Sequence, residues 1–288
     1  MYKLLVITYI VFWHVLGISY YKSVVMKTIA LNPVKSFLVT VFIICSVTSL
    51  QAGTIYHTVS TVTAHTVNTT KSSRTAASKA AKRAEMRMIL ATAAIIYNEM
   101  DLEDSGLSRK AFESAWTGYY KLKKKGLLRK TNILSICDFS QSSSNQRLYV
   151  IDVRNHRVLY RTYVAHGINS GEAFASSFSN RMESCKSSLG FYVTSTTYSG
   201  ANGLSLRIDG LDKGFNDNAR KRSIVIHGAG YVSVRVLHKY GVMGTTFGCP
   251  AIPTDMTTQI IPVVKNGSCF FIYYPSKKYL TQSRVLNS

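Results

Sequence analysis

The sequence predicts a mainly β domain, folded as a sandwich or a barrel-like sheet, with a helical segment before it. From residue 131 onward the chain consists of short β-rich runs separated by turns of glycine, asparagine and serine, a pattern typical of such sheets. Residues 85–130 instead carry apolar side chains at helical spacing. Of the 288 residues, 46% are hydrophobic and 17% are charged, which excludes a wholly disordered chain. Five cysteines are too few for a disulfide scaffold.

Residues 1–52 are predicted to be an export leader. Apolar stretches occupy residues 4–21 and 37–49, and Lys35 precedes the second. A short apolar run with a basic approach is typical of a secretory signal peptide. Because the first stretch is just long enough to span a bilayer, a retained membrane tether is the alternative. Met26 is an alternative start. We expect export to the periplasm or the cell envelope.

Residues 53–84 are rich in serine, threonine, alanine and lysine, and they are predicted to be a flexible basic linker. The whole chain carries 35 Lys and Arg against 14 Asp and Glu, a formal net charge of +21. Such an excess favours polyanions: nucleic acid, anionic lipid or an anionic cell wall. The basic residues are scattered and no helix–groove motif is visible, so we expect no nucleic-acid partner.

Two helices are predicted in the segment 85–130. The first covers residues 85–100. Ser108 is a good N-cap for the second, which ends at Gly126 after a basic run. The apolar stripe of the second helix is predicted to be core, and it consists of Ala111, Phe112, Ala115, Tyr119 and Leu122.

The body of the chain, residues 131–280, contains the predicted strands. Residues 147–153 and 158–164 alternate around a turn at Asn155 and His156, which predicts a hairpin. Further β-rich runs cover residues 191–197, 223–227 and 268–274. Cys137 and Cys269 lie in apolar runs and are predicted to be core, whereas Cys185 lies in a polar loop.

One histidine and one cysteine carry the chemistry. His227 ends a β-rich run, and Cys249 follows Gly248 in a loop. A thiolate activated by an imidazole is a standard nucleophile, so we expect Cys249 to ionise below the range of a free thiol. Backbone N–H groups around Gly248 and Cys249 could hold an oxyanion. On spacing alone, a buried cysteine and a structural histidine are the alternative. No metal or cofactor motif is present, so neither is expected.

Several motifs between Arg147 and Pro253 together resemble the murein L,D-transpeptidase catalytic domain family. His227-Gly228 followed by Thr246-Phe247-Gly248-Cys249 is similar to the family's His-Gly and Ser/Thr-x-Gly-Cys pair, and Pro250-Ala251 continues it. The segment 187–192 resembles the family's Thr-Pro-x-Gly-x-Phe/Tyr element. Residues 177–180 and 214–219 also look like the family.

The resemblance implies an L,D-transpeptidase with a β-sandwich or barrel-like catalytic domain, acting on peptidoglycan stem peptides. Cys249 would attack the carbonyl of the diamino acid in a tetrapeptide stem, D-Ala would leave, and a neighbouring amine would complete a 3–3 cross-link. Water as the acceptor would make the protein an L,D-carboxypeptidase. A non-catalytic wall-binding module is a further alternative. We expect a monomer.

The resemblance also implies roles for individual residues. His227 would be the general base, with its other ring nitrogen oriented by a backbone carbonyl or by Asp209. Thr246 and Gly248 would support the nucleophile loop. The substrate-binding residues would be Gly228, His166, Ser188 and Gly190.

The chain departs from the family at Ala251, where many relatives have an arginine. The sequence offers Arg207, Arg220 and Arg235 as replacements for that cation.

Overall fold

The computed structural model describes residues 69–288. The predicted leader (1–52) and the first part of the predicted linker (53–68) lie outside the described residues. Helix α1 spans Thr69–Glu99, so it begins inside the segment predicted to be a linker and not at residue 85. Alanine, lysine and arginine, all strong helix formers, dominate residues 69–84 and favour a helix there, and residues 77–84 are exposed. Within residues 69–288, no helix combines the length and the apolar character that a membrane crossing needs.

Helix α2 (Arg109–Lys124) begins as the sequence predicts. The Ser108 side chain caps it by accepting a hydrogen bond from the Ala111 backbone N–H. All five residues of its predicted apolar stripe are buried. Gly118 faces the sheet, where a Cβ would lie only 2.0 Å from the Phe191 ring. The glycine therefore lets the helix pack closely on the sheet.

In the described part of the chain, eight strands form a single sheet in the order β3-β2-β1-β8-β4-β5-β6-β7. Their bounds are β1 Ile133–Asp138, β2 Leu148–Asp152, β3 Arg157–Thr162, β4 Gly190–Gly200, β5 Gly203–Gly210, β6 Val225–Gly228, β7 Ala251–Ile252 and β8 Cys269–Tyr273. Past β3, the chain pairs Ala165 with Ala251 and Gly167 with Thr246. The two edges of the sheet therefore meet, and the predicted mainly β, barrel-like fold is confirmed.

The predicted hairpin is the antiparallel β2–β3 pair. The sequence did not single out β1, β5 and β7 as strands. Every residue of β1 is buried, because helix α2 covers it and strands flank it, so the alternation that identifies a half-exposed strand is missing. Helices α3 (Val234–Tyr240), α4 (Thr257–Val264), α5 (Lys277–Gln282) and α6 (Arg284–Asn287) complete the fold.

The last two helices are attached to the sheet through Asp212, a fully buried carboxylate. It accepts hydrogen bonds from the Tyr279 hydroxyl at 2.9 Å, the Ser283 hydroxyl at 2.6 Å and the Phe191 backbone N–H at 2.9 Å. In the described chain, Asp212 has no cation among its hydrogen-bond partners. These hydrogen bonds from neutral groups therefore compensate its buried negative charge. The domain therefore continues past residue 280, the predicted boundary, into α6.

Candidate active site

The pairing of β6 with β7 brings the two predicted catalytic residues to one place. These strands run parallel, with His227 opposite Ala251 in the register. Cys249 comes two residues before Ala251, so it lies beside the beginning of β6. The 21 residues between His227 and Cys249 therefore bring the chain back to the strand that contains His227.

Thr246 closes the loop that holds Cys249. Its hydroxyl accepts a hydrogen bond from the Gly248 N–H at 2.9 Å and donates one to the Cys249 carbonyl at 2.8 Å. Gly248 has a φ of +124°, and a Cβ there would lie 2.8 Å from the Lys186 carbonyl oxygen. Only glycine fits this conformation and this close approach.

The Cys249 thiol is half-buried and hydrogen-bonded to the backbone at the entry to β6. Sγ accepts from the Val225 N–H at 3.4 Å, and the S–H donates to the Ser223 carbonyl at 3.7 Å. Burial raises the pKa of Cys249, while the Val225 N–H and the Arg222 guanidinium oppose the rise. The expectation of a pKa below that of a free thiol is therefore wrong: burial outweighs both favourable contacts.

His227 is buried, with 5% of its surface exposed. Its Nδ1 lies 2.9 Å from the Gly228 carbonyl oxygen. Because a carbonyl can only accept, Nδ1 carries the proton and Nε2 keeps a free lone pair. Of the two acceptors considered from sequence, the structure has the backbone carbonyl; Asp209 instead pairs with Arg220 at 2.7 Å. Within residues 69–288, the hydrogen bonds of the Cys249 thiol do not include this ring.

The N–H groups of the loop differ in availability. The Gly248 N–H is bound by Thr246, so it is not free for an oxyanion as the sequence suggested. The Cys249 N–H has no acceptor within the part of the chain that the structure describes. An oxyanion would therefore be held by the Cys249 N–H, while Gly248 contributes its backbone conformation.

Arg222 is a residue of this site that no sequence pattern indicated. Its guanidinium donates to the Ser179 carbonyl at 2.7 Å, to the Lys186 carbonyl at 2.6 Å and to the Ser188 hydroxyl. Its Nη2 is 3.1 Å from where a Cβ of Gly248 would lie. This cation ties the 179–188 segment to the nucleophile loop.

The three arginines suggested from sequence do not take this place. Arg220 forms the ion pair with Asp209, Arg207 lies 4.2 Å over the Tyr198 ring, and Arg235 is exposed on α3. No sequence pattern distinguished Arg222 from Arg220, because both precede β6. Only the folded loops determine which of the two packs beside the nucleophile loop.

The sequence suggested that His166 binds substrate in a cleft, but the structure places this residue in the interior. Only 1% of its surface is exposed. Arg147 Nη2 lies 2.7 Å from its Nδ1, and its Nε2 lies 2.9 Å from the Gly171 carbonyl. Burial and the charge of Arg147 lower the pKa of His166 to about 4. Its own carbonyl accepts from the Thr246 N–H at 2.9 Å, so it supports the nucleophile loop.

The other three residues predicted to bind substrate also have structural contacts instead. Ser188 is buried between Arg222 and the Ser179 carbonyl. A Cβ at Gly190, whose φ is +120°, would lie 2.7 Å from an Asp212 oxygen. A Cβ at Gly228 would lie 2.7 Å from Thr257. Close packing explains both glycines, and the structure leaves none of the three open to a ligand.

Two aromatic residues lie near the thiol without having been predicted. Phe247 is 80% exposed in the nucleophile loop itself. The Tyr231 ring packs against Gly244. Burial and the nearby Cys249 thiol raise the pKa of Tyr231. The other cysteines within residues 69–288 are free: Cys137 and Cys269 are buried as predicted, and Cys185 is half-buried.

Comparison with known proteins identifies the family. A family profile described as "L,D-transpeptidase catalytic domain" matches residues 103–273, more than half of the chain. The chain belongs to this family. The match contains the whole sheet and every residue of the site described above. A comparison with curated proteins finds no significant match.

Similar solved structures include an L,D-transpeptidase from Mycobacterium smegmatis (12% identity, 50% of this chain and 59% of that one, TM-score 0.31). Another is the L,D-transpeptidase from Xylanimonas cellulosilytica (14%, 49% and 60%, 0.29). A third is the helical cell shape determining protein Pgp2 from Campylobacter jejuni (14%, 56% and 56%, 0.33). The chain spans less than two thirds of their length, and the family assignment depends on the profile.

Proposed function

We propose that this protein is a peptidoglycan L,D-transpeptidase in which Cys249 is the nucleophile and His227 the general base. The observation that carries the proposal is the parallel β6–β7 pairing, by which a thiol lies beside the strand that contains His227 with its free Nε2. Membership of the L,D-transpeptidase catalytic domain family supports it. The substrate is a tetrapeptide stem, and the acyl group is its third residue.

In the first half-reaction the thiol leaves the Ser223 carbonyl and gives its proton to His227 Nε2. Sγ attacks the third-residue carbonyl, and the Cys249 N–H stabilises the oxyanion. The bond to D-Ala then breaks, and the imidazolium returns the proton to the departing amine. The raised pKa of Cys249 makes this proton transfer necessary, because little thiolate is present beforehand.

In the second half-reaction an amine of a neighbouring stem attacks the thioester. Loss of a proton from this amine to His227 and return of that proton to the Cys249 sulfur regenerate the enzyme and leave a 3–3 cross-link. Water as the acceptor would release a tripeptide and give L,D-carboxypeptidase activity. A cell-wall substrate also requires export, in accordance with the predicted leader, and the +21 charge suits an anionic wall.

The test is digestion of tetrapeptide muropeptides with the purified protein and its Cys249→Ala variant. We expect the wild type to release D-Ala and form 3–3 dimers, and the variant to do neither. Intact mass after exposure to a carbapenem should show one adduct, located on Cys249. D-Ala release by Cys249→Ala at the wild-type rate would refute the assignment. Tripeptides without dimers would identify a carboxypeptidase.

A further inference from the structure

A cavity of about 410 Å³ lies among residues that the chemistry of Cys249 does not use. Its walls come mainly from two loops, residues 176–180 and residues 214–215, with Tyr274 and Lys278 from the C-terminal part. These loops belong to the two segments whose sequences resemble the family without a role in the mechanism. We refer to this feature as the serine-loop cavity.

Hydrogen bonds lock the two loops to each other. The Asn180 side chain donates to Asp217 at 2.7 Å and accepts from the Asn218 N–H at 3.0 Å. The Phe178 ring packs against Tyr274, with centroids 5.0 Å apart, and stacks on Phe139 behind it. The cavity is therefore preformed, and a ligand would not have to order its walls.

One side chain, that of Arg222, contacts both the wall of the serine-loop cavity and the nucleophile loop. Ser179, in the cavity wall, accepts a hydrogen bond from Arg222 through its carbonyl at 2.7 Å. The same guanidinium packs against Gly248 on its other side. A substrate bound at Cys249 would thus have the cavity close to one of its ends.

We infer that the serine-loop cavity is a saccharide subsite, which takes an N-acetylated hexosamine of the wall glycan while the attached stem peptide reaches Cys249. The inference rests on the proposed function. Aromatic surface from Phe178, Phe215 and Tyr274, next to serine hydroxyls and one amide, suits a ligand with apolar C–H faces and many hydroxyl groups. Three peptide residues separate the sugar from the reactive carbonyl and span at most about 11 Å.

A peptide carboxylate is the competing ligand for the same cavity. Among residues 69–288, Lys278 is the one cation that lines it, whereas Ser176, Ser177, Ser179 and Ser276 contribute hydroxyl groups. A site for an anionic peptide would bind its carboxylate through cations or paired N–H donors. The lining therefore favours a neutral, hydroxyl-rich ligand.

The test compares D-Ala release from a free tetrapeptide and from the same peptide on its N-acetylglucosamine–N-acetylmuramic acid disaccharide. We expect the wild type to have a KM about tenfold lower for the disaccharide substrate, as one or two net hydrogen bonds would give. Ser176→Trp should fill the cavity and abolish this difference. Ser176 is exposed and its side chain makes no hydrogen bond in the described chain, so the fold should persist. Ser78→Trp, on the exposed face of α1, is the matched control.

A second pair of variants is Lys278→Ala and its control Lys277→Ala. Lys278→Ala should reduce the difference in KM between the two substrates severalfold, and Lys277→Ala should not. A wild type with equal KM values for both substrates would overturn the inference. So would a Ser176→Trp variant whose KM rises equally for both, because the cavity would then hold peptide.

Binding of the peptide-free disaccharide to Cys249→Ala, measured by calorimetry, separates this inference from the proposed function. Binding that Ser176→Trp removes, in a protein whose wild type releases no D-Ala, would keep the subsite and refute the reaction. D-Ala release without disaccharide binding would refute the subsite alone.

Discussion

The dipeptide His-Gly occurs twice in this molecule, at His227-Gly228 in β6 and at His166-Gly167 in the segment that follows β3. Both histidines are buried, and a ring nitrogen of each contacts a backbone carbonyl. They differ at the second nitrogen. Arg147 occupies Nδ1 of His166, whereas in the described residues no hydrogen bond is made by Nε2 of His227.

The comparison shows that availability of a lone pair, and not burial or sequence context, distinguishes a structural histidine from a candidate base. The positively charged Arg147 side chain donates a hydrogen bond to His166, so protonation of His166 is energetically unfavourable. His227 has no such neighbour among its hydrogen-bond partners in residues 69–288. The two histidines nevertheless serve one loop, because His166 holds Thr246 through its carbonyl.

Replacing each histidine by glutamine is the strongest test of this comparison. His227→Gln should lower kcat/KM for D-Ala release by about 10³-fold, because a general base contributes about 10²–10⁴-fold. Part of the loss should return at high pH, where the thiol ionises unaided. His166→Gln should retain activity within about tenfold at pH 7 if it folds, which circular dichroism checks. A larger loss for folded His166→Gln than for His227→Gln would reverse the assignment.

Arg222→Gln should have the next largest effect, a loss of about 10²-fold in kcat/KM. Removing the cation near Cys249 should also move the pH profile of Cys249 alkylation by iodoacetamide upward, since Arg222 opposes the rise in pKa. Site-resolved mass spectrometry separates Cys249 from Cys185. Arg220→Gln, which breaks the exposed pair with Asp209, is the control and should leave the profile in place. An unchanged profile in Arg222→Gln would mean that the arginine only supports the loops.

The buried His166 should make stability depend on pH. Its pKa is about 4 in the folded protein against an ordinary value of 6.5. The unfolded chain therefore binds more protons between these values, and the free energy of unfolding should fall by about 2.5 kcal/mol as pH drops from 6.5 to 4. Urea unfolding across this range measures it. His166→Gln should be less stable at pH 7 but have a shallower slope, and identical slopes would contradict the prediction.

The smallest effect is expected at Thr246. Thr246→Val removes the hydroxyl that binds the Gly248 N–H and the Cys249 carbonyl, and it should lower kcat by about tenfold through a looser loop. Thr246→Ser keeps the hydroxyl and should stay within about twofold of the wild type. Equal losses in both variants would show that the methyl group, and not the hydroxyl, is needed.

Much of the fold could be predicted because its signals are local. Ser108 caps α2, the α2 stripe faces the sheet, and the β2–β3 hairpin alternates around a short turn. Strand β1 lacked such a signal, since it is buried on both faces. The predicted start of α1 is wrong because a basic, alanine-rich segment is compatible with both a linker and an exposed helix.

The two reactive residues and the family motif around them could be predicted from the amino-acid sequence, because the side-chain chemistry and the glycine before Cys249 depend on residue type and short spacing. The contacts that those residues make could not. The folded structure shows that Arg147 occupies Nδ1 of His166, that Arg222 packs beside Gly248 in the nucleophile loop, and that burial raises the pKa of Cys249. Each of these depends on groups that are distant in sequence, and their distances and desolvation exist only after the sheet has closed.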